Sequence, residues 1–386
     1  MQVPSVMESN SITLDSPYQL PRQIPQLDRL RGMAILMVLV FHAGLVFPLP
    51  VPLDGIAYQG WIGVDLFFVL SGFLITGILW DTRDAQKYFG RFYGHRILRI
   101  WPAYTLLLIF AFCIVPLSRL IVGGLLSRAP DEPLEVWPYL LMIQNFFAKS
   151  LRASIILSVT WSLAVEEQFY LVWPAVIRHA SRRLVLPCLF AGIALVPILR
   201  IWAMHQGISE FVIYANPLTH GDGLLCGSAA AIWLRLFKPR RRTLLLMGSS
   251  LLLAGLAIFV PVHPLHDASV QTWSPLVFTS VALTSTGLLL VALVSENLGL
   301  TLHRFLFMNR PLAFLGFISY GLYLYHFSIL RLIVSEELQR RLDWWHRPYL
   351  TQCLMAVFGL GLCILTAWIS RVTLERFALS KKRIFG

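Results

Sequence analysis

The sequence predicts an all-α fold, a polytopic membrane helix bundle of about ten transmembrane helices with both termini cytoplasmic. Three observations carry this. The chain of 386 residues is 57% hydrophobic and only 13% charged, with a mean hydropathy of +0.68. An ordinary soluble domain is about a quarter charged, so this chain lacks the polar groups to cover its own surface. Its apolar residues are grouped in blocks of about 20, the length that spans a hydrocarbon core of about 30 Å. Its basic residues fall in short loops between those blocks, as cytoplasmic Lys/Arg bias requires.

Taken in order, apolar blocks near 30–47, 61–80, 100–122, 159–177, 184–202, 219–237, 243–262, 274–294, 311–334 and 350–372 read as the spans. Residues 1–26 precede them as a polar, flexible cytoplasmic tail without the apolar stretch of a cleavable signal. Residues 27–377 form the membrane domain, and 378–386 a basic cytoplasmic tail. The block at 137–157 is ambiguous. If it spans, Arg178, Arg182, Arg183 and the run Lys238, Arg240, Arg241, Arg242 fall outside; if it re-enters or lies on the outer surface, all become cytoplasmic. The loop 335–349 keeps Arg340, Arg341 and Arg347 outside as the exception, partly balanced by Glu336, Glu337 and Asp343.

The net charge of +12 is therefore read as orientation, not as a nucleic-acid surface, because no basic stripe with interleaved aromatics stands apart from the spans. Cys113, Cys188, Cys226, Cys353 and Cys363 form no C-x-x-C pair and read as small core hydrophobes, so neither a disulfide framework nor a metal site is expected. No loop holds a large soluble domain, so any site has to be built from helices and short connections.

Ionisable residues inside spans are costly and are functional candidates by default, with structural pairing as the alternative. At 1.5 Å per residue His42 lies ~18 Å along its helix from Leu30, past the midplane, and His326 ~22 Å up a helix rising from Pro311. Asp65 and Asp222 stand at the outer starts of their spans, and Glu166 and Glu167 about two turns into theirs. Under one topology these groups converge on the outer half of the bilayer. Arg31 and His42 share a face of the first helix, as do Ser319 and His326 of the ninth. Ser162, Glu166, Phe169, Tyr170 and Trp173 share another face, from which Glu167 points about 100° away. On the cytoplasmic side, Arg96 and Arg99 at i, i+3 place two forked guanidinium groups on one face, suited to phosphate oxygens or to lipid headgroups.

Five segments in order resemble the membrane acyltransferase 3 family, whose members O-acylate polysaccharides, lipopolysaccharide, peptidoglycan, Nod factors and macrolides. Leu27-Asp-Arg-Leu-Arg-Gly-Met-Ala through His42 resembles its opening motif, with ten residues between Arg31 and His42. Gly60-Trp-Ile-Gly-Val-Asp-Leu-Phe-Phe-Val-Leu-Ser-Gly-Phe-Leu-Ile resembles its second-span signature, and Arg96-Ile-Leu-Arg99 its R-x-x-R element. Trp161-Ser-Leu-Ala-Val-Glu-Glu resembles its W-S-L-x-x-E motif, and Ile318-Ser-Tyr-Gly-Leu-Tyr-Leu-Tyr-His-Phe its late motif. Two places depart from the family pattern: His220 stands where Arg often precedes the Asp at 222, and Glu375-Arg-Phe lacks the proline of the closing element.

The resemblance implies a multi-pass protein of the bacterial inner membrane that moves an acyl group, commonly acetyl, from cytosolic acyl-CoA to a hydroxyl of a carbohydrate, glycolipid or macrolide acceptor. It implies coenzyme A phosphates on Arg96, Arg99 and Arg31. It implies His42 as general base or transient acyl carrier and Glu166 as its tautomer-holding or charge-stabilising partner. Asp65, Trp161, Asp222 and His326 then line the acceptor side. Either role of His42 needs a neutral imidazole. No metal is expected. The rival readings are a proton-coupled transporter, since intramembrane His and Glu suit a proton relay, and a non-catalytic partner in polysaccharide assembly. His263-Pro-Leu-His-Asp267 matches the H-x-x-x-D spacing of soluble acyltransferases but sits in a short outer loop, apart from the basic clusters, and is discounted.

Overall fold

The computed structural model describes residues 24–47, 53–114, 135–147, 156–262, 274–295, 309–333 and 348–385, with single positions at 16, 18, 20, 21 and 116. His263, His266, Asp267, Arg340, Arg341, Arg347 and most of the amino-terminal tail lie outside the described residues.

Ten helices of 16 to 24 residues stand among the described residues. They are α1 (Pro25–Val46), α2 (Ile62–Thr82), α3 (Tyr88–Ile109), α4 (Thr160–His179), α5 (Val185–His205), α6 (Asp222–Phe237), α7 (Arg241–Val262), α8 (Val277–Val294), α9 (Arg310–Ile333) and α10 (Pro348–Ser370). Eight are long and apolar enough to cross a membrane, which makes this a multi-pass membrane protein. The two that fall short of that measure are α4, interrupted by Glu166, Glu167 and Gln168, and α6, only 16 residues long. Leu171, Phe190, Ile198, Leu253, Val357 and Phe358 are all more than half exposed, as side chains facing lipid should be.

Small residues set which helices meet. Gly32 on α1 lies against Leu312 of α9, and Gly316 on α9 against Asp28 of α1; a Cβ on either would come within 1.9 Å of a backbone oxygen. Without such side chains two helices approach to backbone contact, a packing mode favoured in hydrocarbon. The α1–α9 crossing brings the two segments carrying His42 and His326 together. Gly72 on α2 and Gly227 on α6 do the same at the α2–α6 crossing, where an added Cβ would lie 2.1 Å from Leu224 O or Val69 O.

Polar ties finish the helix ends. Arg235 of α6 clasps Asp81 of α2 through two bonds of 2.7 Å. Arg83 donates to the carbonyls of Arg178 and Ala180, satisfying acceptors left open at the end of α4. In the ambiguous 137–157 block, the described residues hold only one helical turn, Trp137–Leu140, and a 3₁₀ turn, Gln144–Phe146. Between them Met142 adopts φ 54°, a left-handed conformation rare for a side-chain-bearing residue. Gln168 Nε2 donates to Met142 O at 2.7 Å, and Gln144 Nε2 to Thr160 O at 3.0 Å, so α4 holds this irregular segment in place.

Candidate active site

Two of the cavities among the described residues are lined by candidate residues. The larger, about 600 Å³, is walled by Phe41 and His42 of α1, Tyr58, Trp61, Trp161, Phe211, Tyr214, Tyr323 and Phe327, with Glu210 as its one carboxylate. The smaller, about 100 Å³, is lined by Arg31, Arg96 and Arg99 together with Ser71, Ser162, Glu166, Tyr170 and Tyr320. Val64 and Tyr323 line both.

At the wall of the larger cavity His42 touches His326, which was expected to line the acceptor side but is fully buried behind His42 and lines neither cavity. His326 Nδ1 lies 2.8 Å from Tyr323 O and 3.0 Å from Leu322 O. Carbonyls only accept, so Nδ1 carries the proton and Nε2 keeps its lone pair. That Nε2 faces His42 Nδ1 at 3.2 Å, and the same His42 Nδ1 lies 2.9 Å from Val38 O. Two acceptors on one nitrogen put the proton of His42 on Nδ1. Its Nε2 is left as a lone pair with no hydrogen-bond partner among the described residues, on a side chain that lines the cavity. Phe41 and Phe327 pack against the His42 ring at centroid distances of 4.9 and 4.6 Å.

Glu166 faces the other cavity. Ser71 Oγ donates to its Oε1 at 2.8 Å and Tyr170 OH to its Oε2 at 3.1 Å, so both carboxylate oxygens are satisfied away from His42. The residue that orients His42 is His326. The Arg96 guanidinium sits over the Tyr170 and Phe92 rings at 5.5 and 5.9 Å, which holds its fork beside Glu166 without an ion pair of its own. Arg31 is 3.4 Å from Asp28. The lining thus holds three arginines and one carboxylate, with Asp28 outside it offsetting Arg31, which leaves the cavity basic.

Asp65 and Asp222 are fully buried and line neither cavity. Asp65 lies 2.8 Å from His220 Nε2, and the other ring nitrogen of His220 is 2.7 Å from Tyr214 O. Asp222 accepts from Arg200 Nη2 and from Thr279, each at 2.7 Å. These pairs support the larger cavity from behind: His220 stacks on Trp161 at 18° and packs on Tyr214, both of which form its wall. Desolvation, with Asp65 nearby, pushes the Tyr214 phenol well above its usual range, so it stays uncharged.

Arg200, Ser71, Tyr214 and Tyr323 belong to these arrangements and were not singled out by the sequence reading. Arg200 left a signal, since a lone cation deep in an otherwise apolar span demands a partner. Ser71 and the tyrosines left none that residue type alone makes visible. Among the described residues no three His, Cys, Asp or Glu are grouped to hold a metal ion.

The chain is 28% identical over 329 residues to peptidoglycan O-acetyltransferase OatA of Listeria monocytogenes, covering 81% of this chain and 50% of that protein. It is 26% identical over 337 residues to O-acetyltransferase OatA of Staphylococcus aureus, covering 83% and 52%. The chain thus spans about half the length of these curated relatives. No solved structure matches it. Residues 24–372, which contain both cavities and all five sequence motifs, match the acyltransferase domain, and the chain belongs to the acyltransferase 3 family.

Proposed function

We propose that this protein is an integral-membrane O-acyltransferase that moves an acyl group, acetyl in the first instance, from cytosolic acyl-CoA to a hydroxyl of a surface glycan or glycolipid. The observation that carries the reading is the meeting of two chemically distinct cavities at one wall. One is basic and suits the phosphates of a coenzyme A thioester; the other is aromatic and presents an imidazole lone pair. A transfer between two substrates arriving from opposite sides needs such a pair.

In this reading Arg96 and Arg99, with Arg31, take the donor's phosphates through charge-assisted bonds. The acceptor enters the larger cavity, where Trp161 and its aromatic neighbours offer flat faces to a sugar ring. His42 Nε2 accepts the proton of the acceptor hydroxyl as its oxygen attacks the thioester carbonyl carbon. The carbon–sulfur bond breaks, an oxygen ester forms, and the same proton passes from His42 to the departing thiolate, giving coenzyme A. His326 fixes the tautomer that leaves Nε2 free and accepts from Nδ1 of the imidazolium that forms transiently. Glu166 balances the arginines and supports the donor site. Asp65 and Asp222 act through His220 and Arg200 to hold the acceptor cavity's wall.

Ten spans with both termini cytoplasmic, in a bacterial inner membrane, put the basic cavity on the cytosolic side and His42 toward the outer leaflet. The relatives' names favour a cell-wall glycan as acceptor; a macrolide remains the smaller alternative. The test is acetyl-CoA turnover by detergent-purified full-length protein beside a folded His42→Ala control, with and without glycan acceptors. Turnover that depends on His42 supports the reading. Equal turnover in both proteins removes His42 from the mechanism. Absence of both turnover and coenzyme A binding returns the chain to the proton-coupled transporter reading.

A further inference from the structure

The two cavities share only Val64 and Tyr323 in their linings, so anything passing from the arginines to His42 passes these two side chains. Tyr323 is held in that position. Its hydroxyl donates to Val159 O at 3.0 Å, and Ser162 Oγ bonds the same phenol oxygen. Phe67 meets its ring edge-on at 6.1 Å from the side of the smaller cavity. The backbone carbonyl of Tyr323 also accepts from His326 Nδ1 at 2.8 Å, so the wall and the histidine pair are built on one turn of α9.

We propose that Tyr323, latched to Ser162 and Val159 and facing Val64, is the residue that restricts the transferred group to a short acyl chain. The proposal rests on the acyltransferase reading above and adds a specificity determinant to it. A coenzyme A anchored on the arginines sends its arm toward the larger cavity through the gap beside this ring. The acyl group leads that arm. An acetyl group is little wider than the thioester that follows it, whereas each further methylene has to fit against a ring that three partners hold still. The smaller cavity offers no alternative room, at about 100 Å³ against about 600 Å³ beyond the wall. Removing the ring joins the two spaces; removing the latch alone frees the ring to turn.

The experiment compares initial rates with acetyl-, butyryl- and hexanoyl-CoA for the wild-type protein, Tyr323→Ala, Tyr323→Phe and Ser162→Ala, with coenzyme A binding measured in parallel. A pocket discriminates by about 10–200-fold per methylene at best, so Tyr323→Ala is expected to raise the butyryl-to-acetyl rate ratio by about tenfold or more. Tyr323→Phe, which keeps the ring but loses both latch bonds, raises it less, and Ser162→Ala, which keeps the bond to Val159, least; the parallel binding measurement separates this ratio from any general weakening of coenzyme A, since all acyl donors share that part. If Tyr323→Ala does not fold, Val64→Ala widens the same gap from α2 and is expected to move the ratio in the same direction. A wild-type protein that turns over acetyl-CoA, with an unchanged chain-length ratio in the folded wall variants, overturns the role of Tyr323 alone. A wild-type protein that turns over no acyl-CoA overturns the acyltransferase reading and this proposal with it.

Discussion

His42 Nδ1 lies 3.2 Å from His326 Nε2, and both rings also place their Nδ1 against backbone carbonyls of their own helices. The chain of donors therefore runs one way: His42 gives to His326, His326 gives to its own helix, and the outward nitrogen of His42 is free to accept. A carboxylate in the place of His326 would hold the same tautomer but would add a charge to a span. A neutral imidazole does the job without one, at a depth where charge is expensive.

This relation separates the two histidines experimentally. His42→Gln removes the accepting nitrogen and is expected to lower acyl transfer by about 10²–10⁴-fold, the usual contribution of a positioned general base. His326→Ala leaves the base but not its tautomer, so transfer falls with coenzyme A affinity unchanged. His326→Gln, whose side-chain oxygen can accept from His42, is expected to recover part of that loss. Equal activity of the Ala and Gln variants at 326 would show that orientation is not what His326 supplies.

Arg96 and Arg99 have no direct ion pair among the described residues, so their guanidinium forks remain available to a phosphate. Each →Ala change is expected to weaken coenzyme A binding by about 10–100-fold, as loss of charge-assisted bonds worth about 1.5–3 kcal/mol would do. Each →Lys change keeps the charge but loses the fork and is expected to restore only part. Calorimetry on the purified protein reads this directly, and wild-type affinity in both Ala variants would return these arginines to a headgroup-anchoring role.

The sequence exposed the depth of His42, His326, Glu166, Asp65 and Asp222 but not their partners. Depth follows from rise per residue along one helix, which needs no knowledge of the fold. Pairing depends on which helices touch, and that is decided by Gly32, Gly316, Gly72 and Gly227, whose packing partners lie far away in sequence. So the resemblance implied Glu166 as the partner of His42, while the α1–α9 crossing gave His42 to His326 and left Glu166 with Ser71 and Tyr170. Likewise the resemblance implied an acceptor-side lining by Asp65, Trp161, Asp222 and His326; of these only Trp161 lines the larger cavity, and the structure surrounds Asp65 and Asp222 with partners drawn from α5, α8 and the turn before α6. The departure at His220 also becomes legible: it takes Asp65, and the guanidinium for Asp222 comes instead from Arg200. The irregular 137–157 block was ambiguous because its apolar composition suits a span while its backbone, in the described part, is held by side chains of α4.

Arg200 and Asp222 form a buried pair 1% and 0% exposed, closed by Thr279. Breaking such a pair leaves one charge uncompensated, so Arg200→Met or Asp222→Leu alone is expected to cost about 3–5 kcal/mol. The double change removes both charges and is expected to cost clearly less than the sum of the two. Thermal unfolding in detergent measures this, and additive losses would deny the coupling.

Gly316 tests the architecture that the histidine pair depends on. A Cβ there would sit 1.8 Å from Asp28 O and 2.7 Å from its carbon, both backbone atoms that cannot turn aside. Gly316→Val therefore has to push α9 from α1, and overpacking of this kind costs about 1–3 kcal/mol. His42 and His326 stand on those two helices and are joined at 3.2 Å, so a small separation breaks their hydrogen bond before it unfolds the bundle. The expected outcome is a protein with a lowered Tm and a loss of transfer larger than its loss of folded fraction, while coenzyme A affinity reads how far Arg31 of α1 is displaced as well. Gly361→Val on α10, where an added Cβ meets nothing within 4 Å, is the matched control and should leave all three measurements unchanged. If Gly316→Val keeps full transfer per folded molecule, close approach of α1 and α9 is not what makes the His42–His326 pair.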